Sequence, residues 1–459
     1  MKKILVIAVS ITAALTMVGP AIAADEPLRS KSEVTVASIG KEVRNPTVFQ
    51  LANNNTLVTW QEVSGDKYYL KARTVSPTKA LGTIQTINSE AAIQLQSGEG
   101  TERTVVIGSS GKVFATWITQ GLRFGVQSQK VWGRTTTDGV NWSKPFVIVA
   151  GLTVSGDAMM CEEDPTRVTN CGYSSVQSAV DGKGRLAVMT LDNYESTGIR
   201  YRVKATNLSG VWATFRTLAE VPDTRASELV GLASGFAANA TSYASSANSA
   251  VRTKIYDAKS EAWSKTFTAI STSQNDVYRA HWIQRDSKNL TLAIAAEAGG
   301  INIRNFNLTN LNWSANLVQI QGPVAEHVYQ NLVAAKVGSD LVLIYQEYDR
   351  DAGSTVIKAA KIVGSTPTTT LLQSGADNPV LLYVGASSTN SALVAFNLGT
   401  AGTKLGGINE GSLPETITAN FGSSAIMTLT KTSADQVLAL GLIYEESKTT
   451  IALLRGIAN

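Results

Sequence analysis

The chain has 459 residues, 44% of them hydrophobic and 17% charged, with 40 Lys and Arg set against 36 Asp and Glu. That near balance excludes the strong basic stripe of a nucleic-acid binder, so no nucleic-acid partner is expected. Two histidines and two cysteines, with no histidine at ligand spacing from another ligand type, exclude a structural zinc centre, and no metal or cofactor is expected.

The N-terminus opens with Lys2 and Lys3, continues as an apolar run from Ile4 to Val18, and reaches the small-x-small site Ala21-Ile22-Ala23. This is the pattern of a secretory signal peptide over residues 1–23. A membrane anchor is the alternative, but the run is short for a span and Gly19-Pro20 follows it at once. No later stretch is long and apolar enough to cross a bilayer, so a secreted, extracellular chain without a membrane span is expected. Removing Lys2 and Lys3 leaves 38 basic residues against 36 acidic ones. Residues 24–32 are polar and read as a flexible segment, with the folded domain expected over 33–459.

From there a strand-turn-strand pattern recurs. RNPTVFQLANNNTLVTW, from Arg44 to Trp60, aligns without a gap with TERTVVIGSSGKVFATW, from Thr101 to Trp117. The second strand of the unit returns as RLAVMT at Arg185, FAANATS at Phe236, LTLAIAA at Leu290, DLVLIYQ at Asp340, SALVAFN at Ser391 and QVLALGLIY at Gln436. Intervals of about 50 residues suit a four-stranded blade with its turns. One unit cannot bury its own apolar faces, so the repeat predicts an all-β propeller, a single domain of about eight blades. Seven is the alternative, because the unit from Gly235 to Ser242 is the weakest copy.

The one long interval holds Cys161 and Cys171, which in an exported chain read as a disulfide closing a loop. Glu162-Glu163-Asp164 inside it lacks an alternating oxygen-ligand pattern and reads as a solvated loop rather than a calcium site. The last unit has room for three strands, whereas SEVTVASIG, from Ser32 to Gly40, has no partner near it. Pairing the two would close the ring and hide two edges.

Third strands lead through a tight turn to a tryptophan, best seen in GRTTTDGVNWSKPFVIV with Asp138, Gly139 and Trp142. This resembles the Asp-box, or bacterial neuraminidase (BNR) repeat, of sialidase-like propellers, and Trp212, Trp263 and Trp313 end degenerate copies. In that turn Gly139 supplies the positive φ, Asp138 accepts backbone amides and Trp142 packs between blades. Arg44-Asn45-Pro46 looks like the family's Arg-Ile-Pro segment, with Asn in place of Ile. The resemblance implies that Arg44, with Arg279, would clamp a substrate carboxylate. It also implies Glu62 or Asp66 as acid, and Tyr345 or Tyr348 beside Glu347 as a Tyr–Glu nucleophile pair. Sialidases have six blades and several intact boxes, while this chain has more blades and one good box.

Propeller geometry brings the start of each inner strand and the end of each second strand to one face. The ungapped frame sets Arg44 level with Arg279 and Tyr329, with Arg103 and His281 two residues further along. Just past the second strands it aligns Glu62, Asp192, Glu297, Glu347 and Glu446. These residues are either solvated hairpin positions copied by repeat ancestry or a polar rim for an anionic or polyhydroxylated ligand. The function expected is that of a secreted, monomeric recognition protein for a glycan or other extracellular ligand. A sialidase-like glycoside hydrolase is the alternative, and a protein-interaction scaffold without catalysis is the second.

Overall fold

The computed structural model describes residues 28–458, apart from short connecting segments and the longer stretches 94–103, 150–171 and 410–418. The signal segment, Asp66, Arg103, Cys161, Cys171, Glu297 and Glu446 lie outside the described residues. Eight antiparallel sheets of four or five strands make up what is described, and no helix there is long and apolar enough to cross a membrane.

Each sheet is a meander from an inner strand outwards. Sheet one runs Val43–Gln50, Thr56–Ser64 and Lys67–Val75, then the short Gln85–Thr86 and Ala92–Ile93. Sheet two begins at Val105–Ile107 and sheet three at Gly172–Val180. Sheet four begins at Ser227–Gly231 and sheet five at Tyr278–Gln284. Sheet six comprises His327–Val337, Asp340–Asp349, Ser354–Val363 and Thr366–Gln373. Sheet seven begins at Val380–Ser388. Sheet eight has Ala425–Lys431, Gln436–Glu445 and Lys448–Ala458, and its fourth strand is Leu28–Ile39 from the other end of the chain. That strand begins inside the segment 24–32 that the sequence suggested would be loose. Phe236–Ser242, the weakest copy of the repeat, is the second strand of a complete sheet.

Burial explains the composition. The second strand of a sheet has neighbours on both faces, so it reads as a nearly continuous apolar run: Thr56–Trp60, Leu290–Ala296 and Leu341–Tyr345 are all buried. One apolar cluster joins sheets eight and one through Trp60, Leu440 and Val36, and another joins sheets five and six through Ile303, Tyr329 and Tyr345. Leu57 and Leu440, each 0% exposed, contribute about 1.5–3 kcal/mol apiece by leaving water. Inner strands touch those of the next sheet from sheet two through sheet eight, and the inner strands of sheets eight and one also touch. This is a propeller-type arrangement. Gly231 allows the closest approach: a Cβ there would lie 2.0 Å from the Val180 carbonyl oxygen of the neighbouring inner strand.

Candidate functional site

Sheet six carries a buried carboxylate at the rim where inner strands begin. Tyr329 lies directly opposite Glu347, and His327 opposite Asp349. Lys358 lies opposite Tyr345 on the other side of the second strand. By strand alternation these six residues share one face of the sheet. Tyr329 and Tyr345 pack there on Ile301 and Ile303, so the face is the one turned to sheet five.

Glu347 is 3% exposed, and both its oxygens are engaged. Oε1 lies 2.5 Å from His327 Nδ1, and Oε2 accepts from Lys358 Nζ at 2.6 Å. His327 Nε2 lies 3.7 Å from Asp349 Oδ2. Tyr329 Oη donates to the Gly322 carbonyl at 3.1 Å, and its phenol is pushed up to about 12 by burial and then by the Glu347 charge. Burial, with the same charge second, also drives the Tyr345 phenol well above its usual range. Both tyrosines are therefore neutral fixtures of the wall. His327, Asp349 and Lys358 keep about a quarter to a third of their side chains in solvent, so they are what a ligand can touch.

A second histidine–carboxylate pair joins sheets four and five. His281 Nδ1 lies 2.8 Å from Glu228 Oε1, while Glu228 Oε2 accepts the Trp282 amide at 2.8 Å. Arg279 is half-buried on the same inner strand, opposite Ala295. Arg44, in sheet one, is ion-paired with Glu42, and Glu62 lies 3.8 Å from Lys71 Nζ. Asp192 pairs through its backbone with Tyr173 and Arg200 in sheet three, and Tyr348 pairs with Val328.

The level frame drawn from the sequence shifts in the structure. Val43, not Arg44, lies opposite Glu62, whereas Tyr329 lies opposite Glu347. Irregular pairing between Arg44 and Thr47, and between Gln330 and Val333, lets the two inner strands slip against their partners. Arg44 and Arg279 sit in sheets one and five.

The opposite rim holds the third-strand turns. Asp138 Oδ1 accepts the Val140 and Asn141 amides at 2.9 and 2.7 Å, and Gly139 has φ 75°. Partial burial opposes ionisation of Asp138, but hydrogen bonds from Asn141, Val140 and Thr136 outweigh it and hold the carboxyl down at about 2. Trp142 packs into the cluster between sheets one and two. Near that rim Asp181 and Arg185 form a buried pair at 2.7 Å, and Asp181 also accepts the Gly235 amide of the next sheet at 2.8 Å. A depression of about 460 Å³ lies among inner strands of sheets two to five, lined by Ser109, Ser178 and Gln284 among apolar and backbone atoms. No described residue lining it is charged. Among the described residues no group of three or more His, Cys, Asp and Glu is placed to hold a metal ion.

No protein-family model matches the sequence, and no curated protein matches it. Several solved structures show a distant likeness, three of them as follows. A protein of unknown function from Dyadobacter fermentans is 10% identical, with 94% of this chain and 100% of that one covered and a TM-score of 0.40. The polysaccharide lyase Uly1 is 11% identical, with 82% and 93% covered and a TM-score of 0.47. A GH93 alpha-L-arabinofuranosidase of Fusarium graminearum is 11% identical, with 63% and 93% covered and a TM-score of 0.36. At these identities and scores the likenesses assign neither an activity nor a residue role to this chain.

Lys358, Asp349, His327 and Glu228 complete the two rim clusters and escaped the sequence reading. A signal was present for one of them. Lys71-Ala72 and Lys358-Ala359 hold the same place in their third strands, opposite Trp60 and Tyr345. Aligning third strands as well as second strands would have exposed the Glu–Lys pair in both sheets.

Proposed function

We propose that the chain is an exported, monomeric, eight-bladed propeller whose rim between blades five and six recognises a glycan. In this reading the Leu28–Ile39 strand closes the ring, and the turn at Asp138 is a copy of the Asp-box repeat, supported by the amides its carboxylate accepts. The observation that carries the functional reading is Glu347, buried and held between His327 and Lys358. A buried carboxylate fixes both His327 and Lys358, so that Lys358 donates outward to a sugar hydroxyl or acid group and Asp349 accepts from a second hydroxyl.

The hydrolase alternative has less support. A Tyr–Glu nucleophile must reach an anomeric carbon, yet Tyr345 is 0% exposed and Glu347 already has a partner on each oxygen. A glycan array followed by titration of the best ligand tests the proposal. Wild type should bind, and Lys358→Met should weaken binding by about tenfold or more. Array silence, or a variant that binds as well as wild type, would overturn it. Turnover of a fluorogenic sialoside, lost in Glu347→Gln, would establish the hydrolase instead.

A further inference from the structure

A different polar cluster stands at the seam between sheets eight and one. Trp60 packs on Leu438, Leu440 and Leu442, so its side chain lies on the face of sheet one that meets sheet eight. Lys71 lies directly opposite Trp60, Glu62 follows Trp60 by two residues, and Tyr69 lies directly opposite Glu62. Alternation puts Glu62, Tyr69 and Lys71 on that same face. Across the seam, Tyr444 follows Leu442 by two residues and faces back toward sheet one. Its row continues through Thr449 to Ile39 of the N-terminal strand.

Tyr69 is 36% exposed and Tyr444 62%, and no other aromatic side chain among the described residues stands so far out of the core. Singly scattered exposed apolar residues need no explanation, but these two aromatics face one seam from its two sides, Tyr69 beside a polar pair. Glu62 and Lys71 are 3.8 Å apart and 16% and 18% exposed, and Lys71 Nζ lies 5.6 Å from the centre of the Tyr69 ring. The Glu–Lys pair occupies the same repeat position as Glu347 and Lys358. In sheet six the residue opposite the carboxylate is Val356, whereas here it is the exposed Tyr69.

We propose that this seam binds a neutral hexopyranose unit of a glycan. The apolar face of the ring stacks on Tyr69 and Tyr444, an amphipathic surface that loses little entropy on contact. Vicinal hydroxyls then donate to Glu62 and accept from Lys71. The Glu62–Lys71 pair carries no net charge, so the seam takes neutral units. The site uses none of the residues of the blade-six rim and stands or falls separately.

Titration of the full chain with cellohexaose, mannohexaose and a β-galacto-hexaose, followed by intrinsic fluorescence, tests it. At least one should bind to wild type, and Tyr69→Ala and Tyr444→Ala should each weaken it about tenfold or more. Lys358→Met should leave this binding unchanged. Both tyrosines are exposed, so circular dichroism of the variants should match wild type, and Tyr69→Phe should keep the stacking and most of the affinity. No binding of any of the three, or full affinity in both alanine variants, overturns the seam. If Lys358→Met alone abolishes binding, the seam fails and the blade-six rim stands. If the tyrosine variants alone abolish it, the reverse holds.

Discussion

Asp138 shows how one carboxylate can hold a turn through acceptor geometry. Its folded-state pKa of about 2 lies below the unfolded value of about 3.9, so the ionised form stabilises the fold. That contribution is complete above about pH 4 and is lost as the pH falls through about 2. Asp138→Ala should therefore lower the urea midpoint at pH 7 and lose that deficit as the pH approaches 2. A deficit that is the same at every pH would show that the carboxylate charge has no part in the turn. Glu347 carries the opposite risk, being buried beside the Lys358 cation. Lys358→Met should destabilise the chain by about 2–3 kcal/mol in urea unfolding, because it leaves one carboxylate oxygen buried without its cation. Asp138 was legible in the sequence because its partners lie within three residues of it. Lys358 was not, since it meets Glu347 from another strand and only the register reveals the pair.

Third strands carry a repeated cation that ties sheets together. Arg134 Nε donates to the Ser143 carbonyl of its own sheet and Nη1 to the Ile87 carbonyl of sheet one, both at 2.7 Å. Arg304 does the same with Ser314 and Ala269, and Arg73 with Gly82 and Val36. Among the described residues Lys204 donates to one carbonyl, Ile148 of the preceding sheet, at 2.9 Å, and Lys254 to one, Ser264 of its own, at 2.8 Å. A planar guanidinium can serve two acceptors in fixed directions, whereas an ammonium on a flexible stem holds one here. Arg134→Met should cost about 2–3 kcal/mol in urea unfolding, and Arg134→Lys about half of that. Equal losses in both would mean that packing, not the second carbonyl, is what Arg134 supplies. The apolar second strands were readable because burial on both faces imposes one composition. These cations were not, because a basic residue in a half-buried third strand looks like any solvated position until its acceptors on the neighbouring sheet are placed. Tyr329 and Arg44 were mislevelled for a related reason: a frame without gaps cannot register the irregular pairing in either inner strand.

At the scale of the whole molecule, the seam is the feature that one stretch of sequence could only suggest. Leu28–Ile39 pairs along Lys448–Ala458, with Thr35 opposite Ala452 and Val34 opposite Leu453, and Val36 is 0% exposed. A chain shortened to begin at Gly40 leaves the Lys448–Ala458 edge open and Trp60 without part of its packing. It should self-associate more than the full chain in sedimentation velocity, and a shortened chain as monodisperse as the full one would remove the seam from the account of stability. The same pairing bears on time as well as on free energy. Leu28–Ile39 finds its partner only after Lys448–Ala458 has been made, so among the described sheets the eighth is closed across the longest loop. In the proposed ring, that pairing leaves no loose end from which unzipping can begin. The lifetime of the fold is then set by how rarely that single pairing opens, not by the average strength of its sheets.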